Sequence, residues 1–173
     1  RSGLDPRTAA RTLQFLQATG QVRIEQVEGE SEDHTTADDD VVREAVAILL
    51  KDRPGAHVDL VESNLKKASF LTAVLGRAGA PAKVHATRIE DAERAGTGMP
   101  EIVTARALAP LEVLLELAEP WLEGGTRGLF HKGREWRREI EESPRAERYV
   151  LVSRPSAVDA ESVILDVSGR RKD

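Results

Sequence analysis

His57-Val58-Asp59-Leu60-Val61-Glu62-Ser63-Asn64 runs directly into Leu65-Lys66-Lys67-Ala68-Ser69-Phe70-Leu71. The first part is rich in apolar, β-branched residues and reads as a strand. From Asn64 to Arg77 the apolar residues Leu65, Ala68, Phe70 with Leu71, and Val74 with Leu75 recur at helical spacing, and Gly76 and Gly79 lie at the end. Ser63 or Asn64 is the expected cap of that helix. In an open parallel sheet an acid ending the second strand commonly holds a ribose, and Glu62 stands where that acid belongs. Spacing alone leaves the plainer reading open, a surface carboxylate beside a helix cap.

Outward from this unit, helices and strands alternate. Upstream, Leu4 to Ala18 predicts an amphipathic helix, Gln21 to Val27 a strand with one buried face, Ser31 to Asp40 an acidic solvated loop, and Val41 to Leu50 a helix. Downstream, strands are predicted at Ala82 to Ala86, Ile102 to Ala105 and Gly128 to Lys132, with a helix from Pro110 to Glu119. Tyr149 to Val152 and Val163 to Val167 close the chain as an antiparallel pair. Strands alternating with helices predict an α/β, Rossmann-like sheet with helices on both faces. The expected division is residues 1–40 as a lead-in of helix, strand and acidic linker, and 41–173 as the Rossmann-like domain.

The 173 residues carry 25 Lys and Arg against 30 Asp and Glu, a net charge of −5, which argues against a uniformly basic nucleic-acid coat. Aromatic residues make up 3%, so stacking platforms are scarce. With no Cys, thiolate metal sites and cysteine nucleophiles are excluded, and a cytoplasmic location is expected. No apolar run is long enough to span a membrane, and the spacings of His34, His57, His85 and His131 fit no zinc pattern. These histidines read as surface or strand-end residues, and no metal is expected. Lys132, Arg134, Arg137 and Arg138 with Trp136 form the densest basic cluster, suited to RNA phosphates or to a solvated helix face.

The run Asp52 to Leu71, then Val84-His85-Ala86-Thr87-Arg88-Ile89-Glu90, Val103-Thr104-Ala105-Arg106-Ala107-Leu108-Ala109-Pro110-Leu111 and Leu129-Phe130-His131-Lys132-Gly133, resembles in order and spacing the bacterial small-subunit ribosomal RNA guanine-N7 methyltransferases, also called glucose-inhibited division protein B. The resemblance covers about Val46 to the C-terminus. It implies a class I methyltransferase fold with S-adenosylmethionine as cofactor, and ribosomal RNA or the small ribosomal subunit as partner. It further implies Glu62 toward the ribose, Ile89 and Glu90 beside the adenine, Arg106 as the catalytic-site residue facing cofactor and substrate, and Lys132, with Arg134 and Arg137, on the RNA side. A carboxylate suits two ribose hydroxyls, and an Arg fork suits a carboxylate or phosphate. Guanine N7 already presents a lone pair, so positioning rather than a general base is the demand.

The chain departs from that family at one place. Where the family carries a glycine-rich loop, this chain reads His34-Thr35-Thr36-Ala37-Asp38-Asp39-Asp40-Val41-Val42-Arg43, without glycine and without an apolar strand directly before it. Glycine lets backbone N–H groups approach the cofactor's methionine end. A like-charge contact at ~4 Å opposes binding by on the order of 4 kcal/mol at an effective dielectric near 20. The alternative function is therefore an inactive methyltransferase-like scaffold or a nucleic-acid-binding regulator. Asp5 to Leu16 with Gly20 to Glu25 weakly resembles a winged helix, which would turn Arg7, Thr8 and Arg11 to DNA. A plain helix packed on the sheet is the simpler reading.

Overall fold

The computed structural model describes residues 23–27, 50–92, 94, 96–106, 109–156 and 159–170. In chain order these form β1 (Arg23–Val27), β2 (His57–Val61), α1 (Leu65–Ala78), β3 (Ala82–His85), β4 (Ile102–Arg106), α2 (Leu111–Glu123), β5 (Arg127–Lys132), α3 (Trp136–Glu141), β6 (Tyr149–Pro155) and β7 (Val163–Arg170). Short 3-10 turns at Ile89–Asp91 and Pro144–Arg148 complete them. The strands make one seven-stranded sheet in the order β3-β2-β1-β4-β5-β7-β6. β1 to β5 run parallel, and β7 enters antiparallel between β5 and β6.

Alternation along the strands assigns the two faces. Val58 and Leu60 of β2, Ile102 of β4 and Leu129 of β5 pack with Leu71 and Leu75 of α1. The neighbouring residues Val61, Val103, Ala105 and Phe130 point the other way and pack with Leu111, Leu114, Leu115 and Trp121 of α2, and with Tyr149 and Leu165. A period of two therefore feeds two separate apolar layers, the arrangement a parallel sheet requires. Truncating a buried leucine such as Leu71 or Leu115 costs about 2–5 kcal/mol.

α1 forms as the sequence predicts. The Asn64 side chain accepts the N–H groups of Lys66 and Lys67 at 3.0 and 3.2 Å. At the other end Gly79 adopts φ +62°, a left-handed conformation that glycine takes without steric cost.

The first strand corrects the reading of the N-terminal segment. Arg23–Val27, read as preceding a boundary at residue 40, lies at the centre of the sheet, paired in parallel with β2 and β4. A wing strand would pair antiparallel in a hairpin, whereas Arg23–Val27 pairs in parallel on both sides; Gly20 to Val22 lie outside the described residues. The first-strand position is not vacant. Two ladders satisfy the backbone of β1, whereas its alternating composition lacks the continuous apolar run that announces a central parallel strand. The segment leaving that strand begins at Glu28, not at His34. Arg7, Thr8, Arg11 and His34 to Arg43 lie outside the described residues, as does the predicted helix up to Leu49.

Candidate functional site

The carboxyl ends of the parallel strands gather most of the residues singled out from the sequence. Glu62 follows β2 and is 3% exposed. Its backbone N–H donates to the His85 carbonyl at 3.0 Å, tying the ends of β2 and β3 together. Its Oε1 accepts the Asn64 N–H at 2.7 Å, so the carboxylate is fixed against the start of α1. Beneath it, Oδ1 of the buried Asp59 lies 2.8 Å from His85 Nε2 and 3.3 Å from His57 Nε2. His85 is thus a buried strand-end residue, held by a partner that sequence spacing did not suggest.

Ile89 and Glu90 form the 3-10 turn after β3. Ile89 is buried in the layer that contains Val61 and Val103, while Glu90 is exposed. Arg106 ends β4, half-buried, and pairs in register with His131 on β5. The His131 imidazole is drawn down from 6.5 to about 4, first by desolvation and second by the Arg106 guanidinium. Its surface is nevertheless open to solvent. His131 is neutral at pH 7, and only its adjacency to Lys132-Gly133 in the sequence hinted at the site.

The three residues expected on the RNA side differ in their surroundings. Lys132 is 8% exposed, and its ammonium donates to the Ala109 carbonyl at 2.8 Å and pairs with Glu139 Oε2 at 2.5 Å. Arg134 is exposed but bound to Glu161, with Nε donating at 3.0 Å. Arg137 is exposed and lies 4.2 Å from the centroid of the Trp136 ring, a cation–π stack. Neighbouring Arg138 pairs with Glu142 at 2.7 Å. Glu139 carried no signal in the sequence, because its partners reach it from other elements.

An open groove of about 360 Å³ runs between α1 and β3, lined by Leu65, Ala68, Ser69, Thr72, Val84 and Ala86 among others, without a charged side chain. Among the described residues, no group of three or more His, Asp or Glu side chains is arranged to hold a metal ion. Among the same residues, no helix is long and apolar enough to cross a membrane.

Residues 45–161 match the family model described as rRNA small subunit methyltransferase G. This chain belongs to that family. The match takes in Glu62, Ile89, Glu90, Arg106 and the Lys132 to Arg137 cluster, and leaves β1 outside. Within the methyltransferase G family, a ribosomal RNA small subunit methyltransferase G of Chelativorans sp. (strain BNC1) is 50% identical over 127 residues, covering 73% of this chain and 60% of that protein. The chain thus spans about three-fifths of the length of the curated relatives it matches. Among solved structures, a putative rRNA-methylase from Clostridium thermocellum superposes with a TM-score of 0.63 at 8% identity, covering 96% of this chain and 97% of that one. A point mutant of MtNAS in complex with S-adenosylmethionine superposes with a TM-score of 0.62 at 14% identity, covering 94% of this chain and 62% of that one. The fold is that of the class I methyltransferases.

Proposed function

We propose that this chain binds S-adenosylmethionine and takes part in methylating guanine N7 of small-subunit ribosomal RNA in the cytoplasm. The observation that carries the reading is the buried Glu62 carboxylate at the carboxyl end of β2, inside the segment matched by the methyltransferase G family. A carboxylate held at this depth, with Oε1 already oriented by the Asn64 N–H, suits a vicinal diol, and so fits the nucleoside half of the cofactor. Ile89 and Glu90 would stand at the adenine. The cofactor, when bound, supplies an electrophilic methyl group. Arg106 would orient an anionic group of cofactor or RNA through its fixed fork of donors. Neutral His131 beside it adds a donor or acceptor without a second positive charge. Guanine N7 needs no proton removed, so these groups act by orientation. Arg134 and Arg137 would meet the RNA backbone.

Calorimetric titration with S-adenosylmethionine and S-adenosylhomocysteine tests the pocket, and methylation of isolated small subunits, with N7-methylguanine mapped by reduction and aniline cleavage, tests the reaction. Micromolar binding and a single modified guanine are the expected results. No binding at millimolar cofactor would overturn the reading.

A further inference from the structure

Lys132 reaches across the sheet end rather than out of it. Its ammonium, 8% exposed, donates to the Ala109 carbonyl at 2.8 Å and pairs with Glu139 Oε2 at 2.5 Å. That same Oε2 accepts the Leu111 N–H at 2.7 Å. Leu111 opens α2, whose N-cap is Pro110, a residue with no side-chain hydrogen bond to give. Glu139 thus serves as the missing cap from another helix, and Lys132 holds Glu139 in place. Consecutive residues of β5 thus meet the end of β4 and the entry to α2. His131 pairs with Arg106 in the ladder, and Lys132 binds Ala109.

We propose that Lys132 and Glu139 are positioning residues that fix Ala109 and Leu111 at the entry to α2, next to the end of β4 that carries Arg106. Lys132 is then not a phosphate contact. A buried ion pair adds little net stability over apolar packing, and two apolar layers already fill this sheet, so the pair's location at the sheet end accounts for it better than stability does. A lysine available to phosphate would keep its ammonium free of partners within the fold, whereas Lys132 gives its own to Ala109 and Glu139. As a contribution to methyl transfer the proposal rests on the function given above. As a device of the fold it stands without it.

The test compares Lys132→Met with Glu139→Gln in the full chain. Hydrogen exchange of the peptide spanning residues 106–115 is measured first, with no cofactor present. Loss of charge-assisted bonds is expected to speed exchange there about tenfold in Lys132→Met, and less in Glu139→Gln, which still offers Leu111 an acceptor. Exchange across β2 and α1 should stay as in the wild type. In the methylation assay both variants should lower kcat and leave KM for the small subunit and its salt dependence unchanged, and the double variant should be no worse than the more severe single one. Unchanged exchange in Lys132→Met overturns the proposal. So does a salt slope for RNA binding that drops by about one in Lys132→Met while Glu139→Gln behaves as wild type. Failure of the functional reading shows instead as a wild-type chain that neither binds cofactor nor methylates, with the exchange arm still readable.

Discussion

Glu62 holds the start of α1 and, under the proposed function, a ribose, and its variants separate the two. Oε1 accepts the Asn64 N–H at 2.7 Å, while Asn64 itself caps α1 through the N–H groups of Lys66 and Lys67. Glu62→Ala removes the acceptor and the charge together, so it loosens the start of α1 by about 1 kcal/mol besides emptying the site. Glu62→Gln keeps an oxygen for Asn64 and removes only the charge. A hydrogen bond to a charged group contributes about 1.5–3 kcal/mol, so losing the charged acceptor of a ribose hydroxyl weakens binding roughly 10- to 150-fold. The assay is calorimetric titration of wild type and Glu62→Gln with S-adenosylhomocysteine, adenosine and 2′-deoxyadenosine. In the wild type, deleting the 2′-hydroxyl from the ligand should cost about as much as deleting the charge from the protein. In Glu62→Gln, the deoxy ligand should bind nearly as well as the hydroxylated one, because the interacting pair is already broken. A folded Glu62→Gln protein that binds every ligand within twofold of wild type would refute the assignment of Glu62 to the ribose.

Asp166 is 4% exposed and accepts Arg127 Nε at 2.6 Å and the Arg154 guanidinium at 2.9 and 3.0 Å. Asp166→Asn removes the charged acceptor that both guanidinium groups share, and because they are 29% and 46% exposed the usual cost of a broken buried pair shrinks to about 1–3 kcal/mol in a thermal melt. Burial pushes the Asp166 carboxyl up, and the bonds from Arg127 and Arg154 outweigh it and hold it below its ordinary 3.8, while Ser143 chiefly holds Glu112 below 4.5. With acids depressed in the folded state, that stabilisation is complete above pH 4.5 and lost as pH falls through the lower folded values. His131 adds an earlier limb. Between pH 6.5 and about 4 the unfolded chain takes a proton that the folded one refuses, so stability declines on acidification, and His131→Gln should flatten this window in urea melts at stepped pH. Gly128 is a steric gate: a Cβ there would lie 3.0 Å from Phe130 Cζ and 3.3 Å from Leu122 Cδ2. Gly128→Ala should destabilise by about 1–3 kcal/mol, and Phe130→Leu in the same chain should restore part of it.

The Glu62 region was legible because its information is local. Apolar residues on β2, Asn64 at the cap and glycine at the C-terminus of α1 lie within one short stretch of chain, and each carries its own conformational preference. The C-terminal pair β6 and β7 was legible for the same reason. Lys132 was not. A lysine before a glycine at a strand end reads as a solvated cation, and its burial depends on a carbonyl after β4 and a carboxylate on α3, which no periodicity links. β1 was legible as a strand but not in its place. Its alternation implies one buried face, whereas its position follows from hydrogen bonding to β2 and β4, which depends on the backbone rather than on the side chains.

The pairing of the arginines bears on how such a chain meets RNA. Arg127 and Arg154 bind Asp166, Arg134 binds Glu161, Arg138 binds Glu142, Arg145 binds Glu112, Arg148 binds Glu119 and Arg170 binds Glu123. Each pair cancels at short range a charge that would otherwise attract phosphate from a distance. A net charge of −5 then repels a polyanion beyond those pairs. Counterion release, which drives most non-specific nucleic-acid binding, is then left to cations outside these pairs, such as the exposed Lys51, Lys66, Arg77, Lys83 and Arg88. Under the proposed function, RNA recognition would draw on these exposed cations together with Arg106 beside a neutral His131 and Arg137 stacked on Trp136.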